Sequence, residues 1–283
     1  MKIVAFLLTA FLFVGCSGVN KVAHIDEFNM EVLATPEVRG VGKSLSSDTS
    51  VVRMALNVHV GAQEKEELSG IVNKRSSCKF RCDDAEDFEL KEDVDAEYSL
   101  GYPIVSGSLD YFVKTGLAII GFGFGIDHGG YIDGLLGVNA KYFEIGITGG
   151  FWVYPRYFAY HGQELYCEYD WPGHDTFSAN AFHASSDMGY SWFFGGFASV
   201  FIGPITLYFS TSVYTPDPNY EDVDDEGTDN LHADFEFPMV ITEYISVGYR
   251  FLENWEIRLG TANLLGEFPG WHWSFNGGVS YYL

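Results

Sequence analysis

Basic residues are scarce in this chain: 16 Lys and Arg face 39 Asp and Glu, a formal net charge of −23. A nucleic-acid partner is excluded on that ground, because phosphate backbones are held by clustered cations. Long hydrophobic runs are missing as well. Beyond the N-terminus no stretch of about 18 apolar residues occurs, so the sequence offers no helical membrane span. Cysteine is sparse, with four in 283 residues. Against these absences stand 32 glycines and an aromatic content of 17%, both high for a soluble domain. Such a composition can still cross a membrane, because only alternate residues of a barrel strand face lipid.

The acid is concentrated. Residues 61–100 hold twelve acidic side chains, and 215–236 hold nine with no Lys or Arg. Runs of this kind read as solvated loops.

From Trp271 to Leu283 the chain alternates with period two. Trp271, Trp273, Phe275, Gly277, Val279, Tyr281 and Leu283 are apolar or glycine, and His272, Ser274, Asn276, Gly278, Ser280 and Tyr282 lie between them. Successive side chains of a strand point to opposite faces, so one face is oily and the other wet. With Trp and Tyr on the oily face, and Asn276, Gly278 and Tyr281 ahead of a terminal Leu283, the segment resembles the closing strand of bacterial outer-membrane β-barrels. The resemblance is to small porin-like barrels in general and to no specific family. It implies delivery to the barrel assembly machinery, a Gram-negative-type outer membrane, and contact with outer-membrane lipid and lipopolysaccharide.

Met1-Lys2 precede a stretch, Ile3 to Val14, that is apolar except for Thr9. One positive charge followed by a dozen apolar residues is a secretory signal, assigned to 1–15. Phe13-Val14-Gly15-Cys16 resembles a lipobox, which implies a lipid on Cys16. No sustained period follows, and Pro36, Gly40, Gly42 and several Ser intervene, so 16–49 reads as an irregular periplasmic tether.

The barrel is expected over 50–283. Val52, Met54, Leu56, Val58 and Val60 alternate with Val51, Arg53, Ala55, Asn57 and His59. Equivalent alternation recurs near 105–114, 115–127, 130–140, 142–154, 204–214, 239–251 and 254–263; the stretch 189–202 is apolar on both faces and leaves its register open. Three acidic or aperiodic connections, 61–100, 155–188 and 215–236, are assigned to long outer loops. The fold class is all-β: a transmembrane, antiparallel, up-and-down β-barrel of about ten strands, with eight or twelve also compatible.

Inward positions mix both charge signs: Arg53, Asp110, Lys114, Lys141, Glu144, Arg250, Glu256 and Arg258. In a narrow barrel such groups pair and fill the lumen, since an unpaired buried charge is costly. His272 and Ser274 share a strand face, and this spacing is similar to the His-x-Ser of outer-membrane lipid A deacylases, although no acid follows Ser274. The barrel size resembles the omptin proteases, whose paired Asp-x-Asp and Asp-x-His are not reproduced by Asp222, Asp224, His232 and Asp234. Asp222, Asp224 and Glu226 approach the start of a calcium loop, without its closing bidentate Glu. Cys78 and Cys82 would close a small disulfide loop in an oxidising compartment, and Cys167 is a competing partner.

These observations favour a non-enzymatic barrel with a structural, surface-interaction or narrow-pore role toward an undefined extracellular ligand, with calcium the one cofactor considered. The alternative is a barrel hydrolase using His272 and Ser274.

Overall fold

The computed structural model describes residues 20–61, 64–76, 88–102, 104–170, 173–217, 219–223, 229–235, 237, 239–265 and 272–283. They form one sheet of fifteen strands. In chain order the strands are β1 (Asn20–Leu33), β2 (Thr49–Gly61), β3 (Glu64–Ser76), β4 (Phe88–Gly101), β5 (Val105–Thr115), β6 (Ala118–Asp127), β7 (Gly129–Asn139) and β8 (Phe143–Asp170). The others are β9 (Gly173–Ile202), β10 (Ile205–Tyr214), β11 (Asn219–Val223), β12 (Asp229–Phe235), β13 (Val240–Leu252), β14 (Trp255–Leu265) and β15 (His272–Tyr282).

Ten of them close a barrel in the order β8-β7-β6-β5-β2-β15-β14-β13-β10-β9, with β9 returning to β8. All neighbours in the ring are antiparallel. Closure follows from the two-faced sequence, because a closed ring leaves no unpaired edge in lipid. Tight turns join β5 to β6, β9 to β10 and β13 to β14 at one end, where β2 starts and Leu283 bonds back to Val52. The connections 61–105, 214–240 and 265–272 lie at the other end, as does the tip of the β8–β9 hairpin.

The exterior is apolar. Met54, Leu56, Val58 and Val60 on β2, Ile120, Phe122, Phe124 and Ile126 on β6, and Leu259 and Phe275 on β14 and β15 are all exposed, Ile126 by 71%. So much exposed hydrocarbon is incompatible with water and suits lipid. Tyr111, Tyr142, Tyr249, Trp255 and Tyr281 stand outward toward the short-turn end, and Tyr190 and Trp192 of β9 with Trp273 of β15 stand outward toward the other. Two aromatic belts bounding an aliphatic band mark the two membrane interfaces.

The remaining five strands continue the sheet beyond the long-connection belt. β1 pairs antiparallel with the distal half of β8 (Phe28 opposite Tyr160) and parallel with β4 (Phe28 opposite Ala96); β3, β12 and β11 follow. Phe28 stacks on Phe158 at 5.6 Å and meets Phe235 at 5.0 Å between ring centroids. This aromatic core caps the barrel.

Three expectations change here. Residues 20–33 of the expected tether form β1, and 34–48 run through the lumen, entering from the long-connection end and leaving beside Thr49. The expected outer loops are largely strands: β3 and β4, the distal halves of β8 and β9, and β11 with β12. Beyond the membrane the second face of a strand meets water instead of lipid, so its acidic residues read as a solvated loop. Lys141, considered for the lumen, lies instead at a turn with its ammonium over the Tyr142 ring.

Candidate functional site

The luminal segment 34–48, here called the strap, is the centre of the site. Inward side chains of the wall are spent largely on its backbone. Glu144 of β8 accepts from the amides of Val41 (2.9 Å) and Gly42 (3.1 Å). Asn139 of β7 clamps the strap twice, accepting from the Leu45 amide at 3.0 Å and donating to the Lys43 carbonyl at 2.9 Å. Lys114 of β5 donates to the Leu45 carbonyl at 2.6 Å. Arg250 of β13 and Thr206 of β10 donate to the Gly42 carbonyl, and Tyr244 donates to the Thr35 carbonyl at 2.8 Å. An extended segment in a closed lumen cannot pair with sheet, so its amides and carbonyls must find side chains.

Three charge clusters lock it. Arg258 of β14 donates from both terminal nitrogens to the Glu37 carboxylate and from Nη2 to Asn57 Oδ1 at 2.7 Å. Arg53 of β2 binds Asp110 of β5 at 2.9 Å and also donates to the Gly40 carbonyl. Glu256 accepts from the Tyr208 hydroxyl at 2.6 Å and faces Arg250 at 3.6 Å. Bidentate guanidinium–carboxylate geometry offsets the cost of burying both partners better than a point contact does.

Glycine makes the passage fit. A Cβ on Gly40 would lie 2.4 Å from Phe197 and 2.5 Å from the Glu144 carboxylate. Gly42 has φ +79°, and its Cβ would fall 2.1 Å from the Tyr208 hydroxyl. Val38 and Val41 are buried at 2% and 0%, each contributing about 1.5–3 kcal/mol of apolar burial.

Arg53, Asp110, Lys114, Glu144, Arg250, Glu256 and Arg258 therefore all lie on the luminal face, and every one of them contacts the strap or a residue that does. Sequence reasoning did not connect them to Glu37, Tyr208 or Tyr244. The available signal was in the strap itself: Glu37, Arg39, Gly40 and Gly42 among buried-type apolar residues in a segment with no strand period.

The other candidates are not gathered into one place. Ser274 is buried on the luminal face near the long-connection end, beside the Tyr102 ring, and burial pushes the Tyr102 hydroxyl above its ordinary range. His272 opens β15, and its side chain lies outside the described part. Asp222 lies on β11, while Cys16, Cys78, Cys82, Asp224 and Glu226 fall outside the described residues. Among the described residues no group of three or more His, Cys, Asp or Glu side chains could hold a metal ion.

No family model and no curated protein matches the chain. Among solved structures it is similar to the outer membrane protease OmpT from Escherichia coli, at 10% identity and a TM-score of 0.40, over 86% of this chain and 100% of that one. It is similar to the COG4313 outer membrane channel from Pseudomonas putida F1 at 10% identity and 0.34, over 88% and 100%. A third is the translocator domain of the autotransporter NalP from Neisseria meningitidis, at 11% and 0.30, over 82% and 88%. A protease, a channel and a translocator share no activity, and none is carried over to this chain.

Proposed function

We propose that this protein is a non-enzymatic outer-membrane barrel, closed by its own N-terminal strap, whose working part is the sheet standing beyond the barrel. The observation that carries the reading is the strap: its backbone is bound by side chains from β5, β7, β8, β10 and β13 along the length of the lumen. A wall that invests its charges in holding a segment in place is built for closure rather than for solute flow. Long connections face the cell exterior in such barrels, which puts β1, β3, β4, β11 and β12 on the cell surface. The platform of these five strands and the distal halves of β8 and β9, rich in acid over 61–100 and 215–236, suits engagement of an extracellular ligand, with calcium a candidate bridging ion.

A narrow pore is the second reading. Register aligns Ser246, Gly260, Asn276 and His59 in one luminal row, and Ser246 Oγ, both amide atoms of Asn276 and His59 Nδ1 are buried without a hydrogen-bond partner. Orphaned polar atoms of this kind are where buried water binds. Swelling of vesicles containing the refolded protein in isotonic arabinose separates the two. No swelling beyond protein-free vesicles supports the closed barrel; sugar entry at a rate proportional to protein supports the pore.

A further inference from the structure

One polar row interrupts the apolar exterior. Register pairs Gly196 of β9 with Thr211 of β10, Thr211 with Glu243 of β13, Glu243 with Asn263 of β14, and Asn263 with Trp273 of β15. These positions share the outward parity of Phe194, Phe209, Ile245, Leu259 and Phe275, the lipid-facing residues of the same strands. Thr211 and Glu243 are exposed, so a hydroxyl and a carboxyl group meet the membrane. Asn263 is 2% exposed, and its Oδ1 is buried with no hydrogen-bond partner.

The row borders a notch of about 340 Å³. Gly196 and Ala198 supply a low floor, Phe209 and Ile245 rise beside it, and Glu243 and Thr211 line it. That volume is within the range of small-ligand sites. Its depth is set by the belts. Tyr249 of the short-turn belt lies about six residues along β13, or ~20 Å at 3.4 Å per residue. Trp273 of the opposite belt stands two strands away in the same row. Glu243 thus lies at the long-connection edge of the hydrocarbon band.

An ionisable group facing hydrocarbon is costly unless something satisfies it, and such groups mark functional positions. The row offers an exposed acceptor, the Glu243 carboxylate, so its occupant must bring donors. A headgroup ammonium sits outside the aromatic belt, whereas amide N–H and hydroxyl groups at the top of acyl chains sit just within it. We propose that this notch binds the acyl region of an N-acylated amino-sugar lipid of the outer leaflet. Its amide and hydroxyl donors engage Glu243, and an acyl chain crosses Gly196 and Ala198. The leaflet assignment rests on the orientation proposed above.

Native mass spectrometry of the intact protein, released from micelles doped with lipid A or with phosphatidylethanolamine, tests this. Lipid A adducts on the wild type, at least tenfold fewer on Glu243→Leu, and wild-type levels on Ile120→Leu at the opposite wall are expected. Glu243→Leu places an apolar side chain in lipid and keeps the fold, which heat-modifiable migration checks. Equal lipid A adducts on wild type and Glu243→Leu, equal retention of phosphatidylethanolamine, or dimer masses in place of lipid adducts would overturn the proposal. Surface labelling of β1 on intact cells tests the orientation separately, so absence of lipid A adducts with β1 exposed overturns the lipid site alone.

Discussion

Glu37 of the strap and Arg258 of β14 form a two-point carboxylate–guanidinium pair inside the barrel, with Nη2 2.7 Å from Oε2 and side chains only 5% and 1% exposed. Breaking a buried pair from one side is costly, because the survivor keeps its charge and loses its partner. Glu37→Ala is therefore expected to destabilise the protein by about 3–5 kcal/mol in urea unfolding from lipid vesicles. Glu37→Leu combined with Arg258→Met should recover most of that loss. A single variant as stable as wild type would mean the pair does not hold the strap.

Gly42 is the tightest point of the passage. Alanine there must adopt a left-handed backbone and displace the Tyr208 hydroxyl, which also donates to Glu256. The backbone alone costs about 1–2 kcal/mol. Gly42→Ala should loosen the strap, seen as faster proteolysis of the folded protein within residues 34–48, while Gly130→Ala on the outer wall, with free space around it, should leave the strap protected.

The chain enters its barrel from above. Glu27 on β1 and Glu253 in the β13–β14 turn are exposed at opposite ends. A cysteine at Glu27 should react with a membrane-impermeant maleimide on intact cells, and one at Glu253 only after permeabilisation. The reverse pattern would invert the orientation.

How much of this was legible beforehand follows from where alternation is compulsory. Between lipid and lumen each residue must choose a face, so Leu56 and Asn57, or Ile257 and Arg258, declare their strand and its register. The stretch 189–202 was ambiguous because Phe193 and Phe197 turn inward, where Gly150 and Gly146 leave room for their rings. Beyond the membrane one face of a strand meets water, and acid there hid the period: in β4, Phe88, Leu90, Val94, Ala96, Tyr98 and Leu100 alternate with Glu89, Lys91, Asp93, Asp95, Glu97 and Ser99 inside a stretch that reads as an acidic loop. The strap was hidden for another reason. Most of its partners are wall side chains far along the chain, such as Glu144 to Val41 and Asn139 to Leu45, more than ninety positions apart, and nothing local in Pro36 to Ser47 signals a lumen around them.

Glu243 gives a thermodynamic prediction of its own. In vesicles of phosphatidylcholine, which offers no amide or hydroxyl donor at that depth, Glu243→Leu should stabilise the barrel by about 1 kcal/mol, since an acidic side chain on the lipid face costs roughly that near the interface. A loss of stability in urea titration would mean the carboxylate is already satisfied within the protein.

The central claim is that the strap closes the lumen, and conductance of the refolded full-length protein in a planar bilayer tests it most directly. Wild type should insert without discrete conductance steps. Glu144→Ala combined with Glu37→Ala, which removes the anchors of Val41, Gly42 and Arg258, should show reproducible openings. Steps of the same size in wild type and in the double variant would contradict the account, because the strap would then not be what stands in the way.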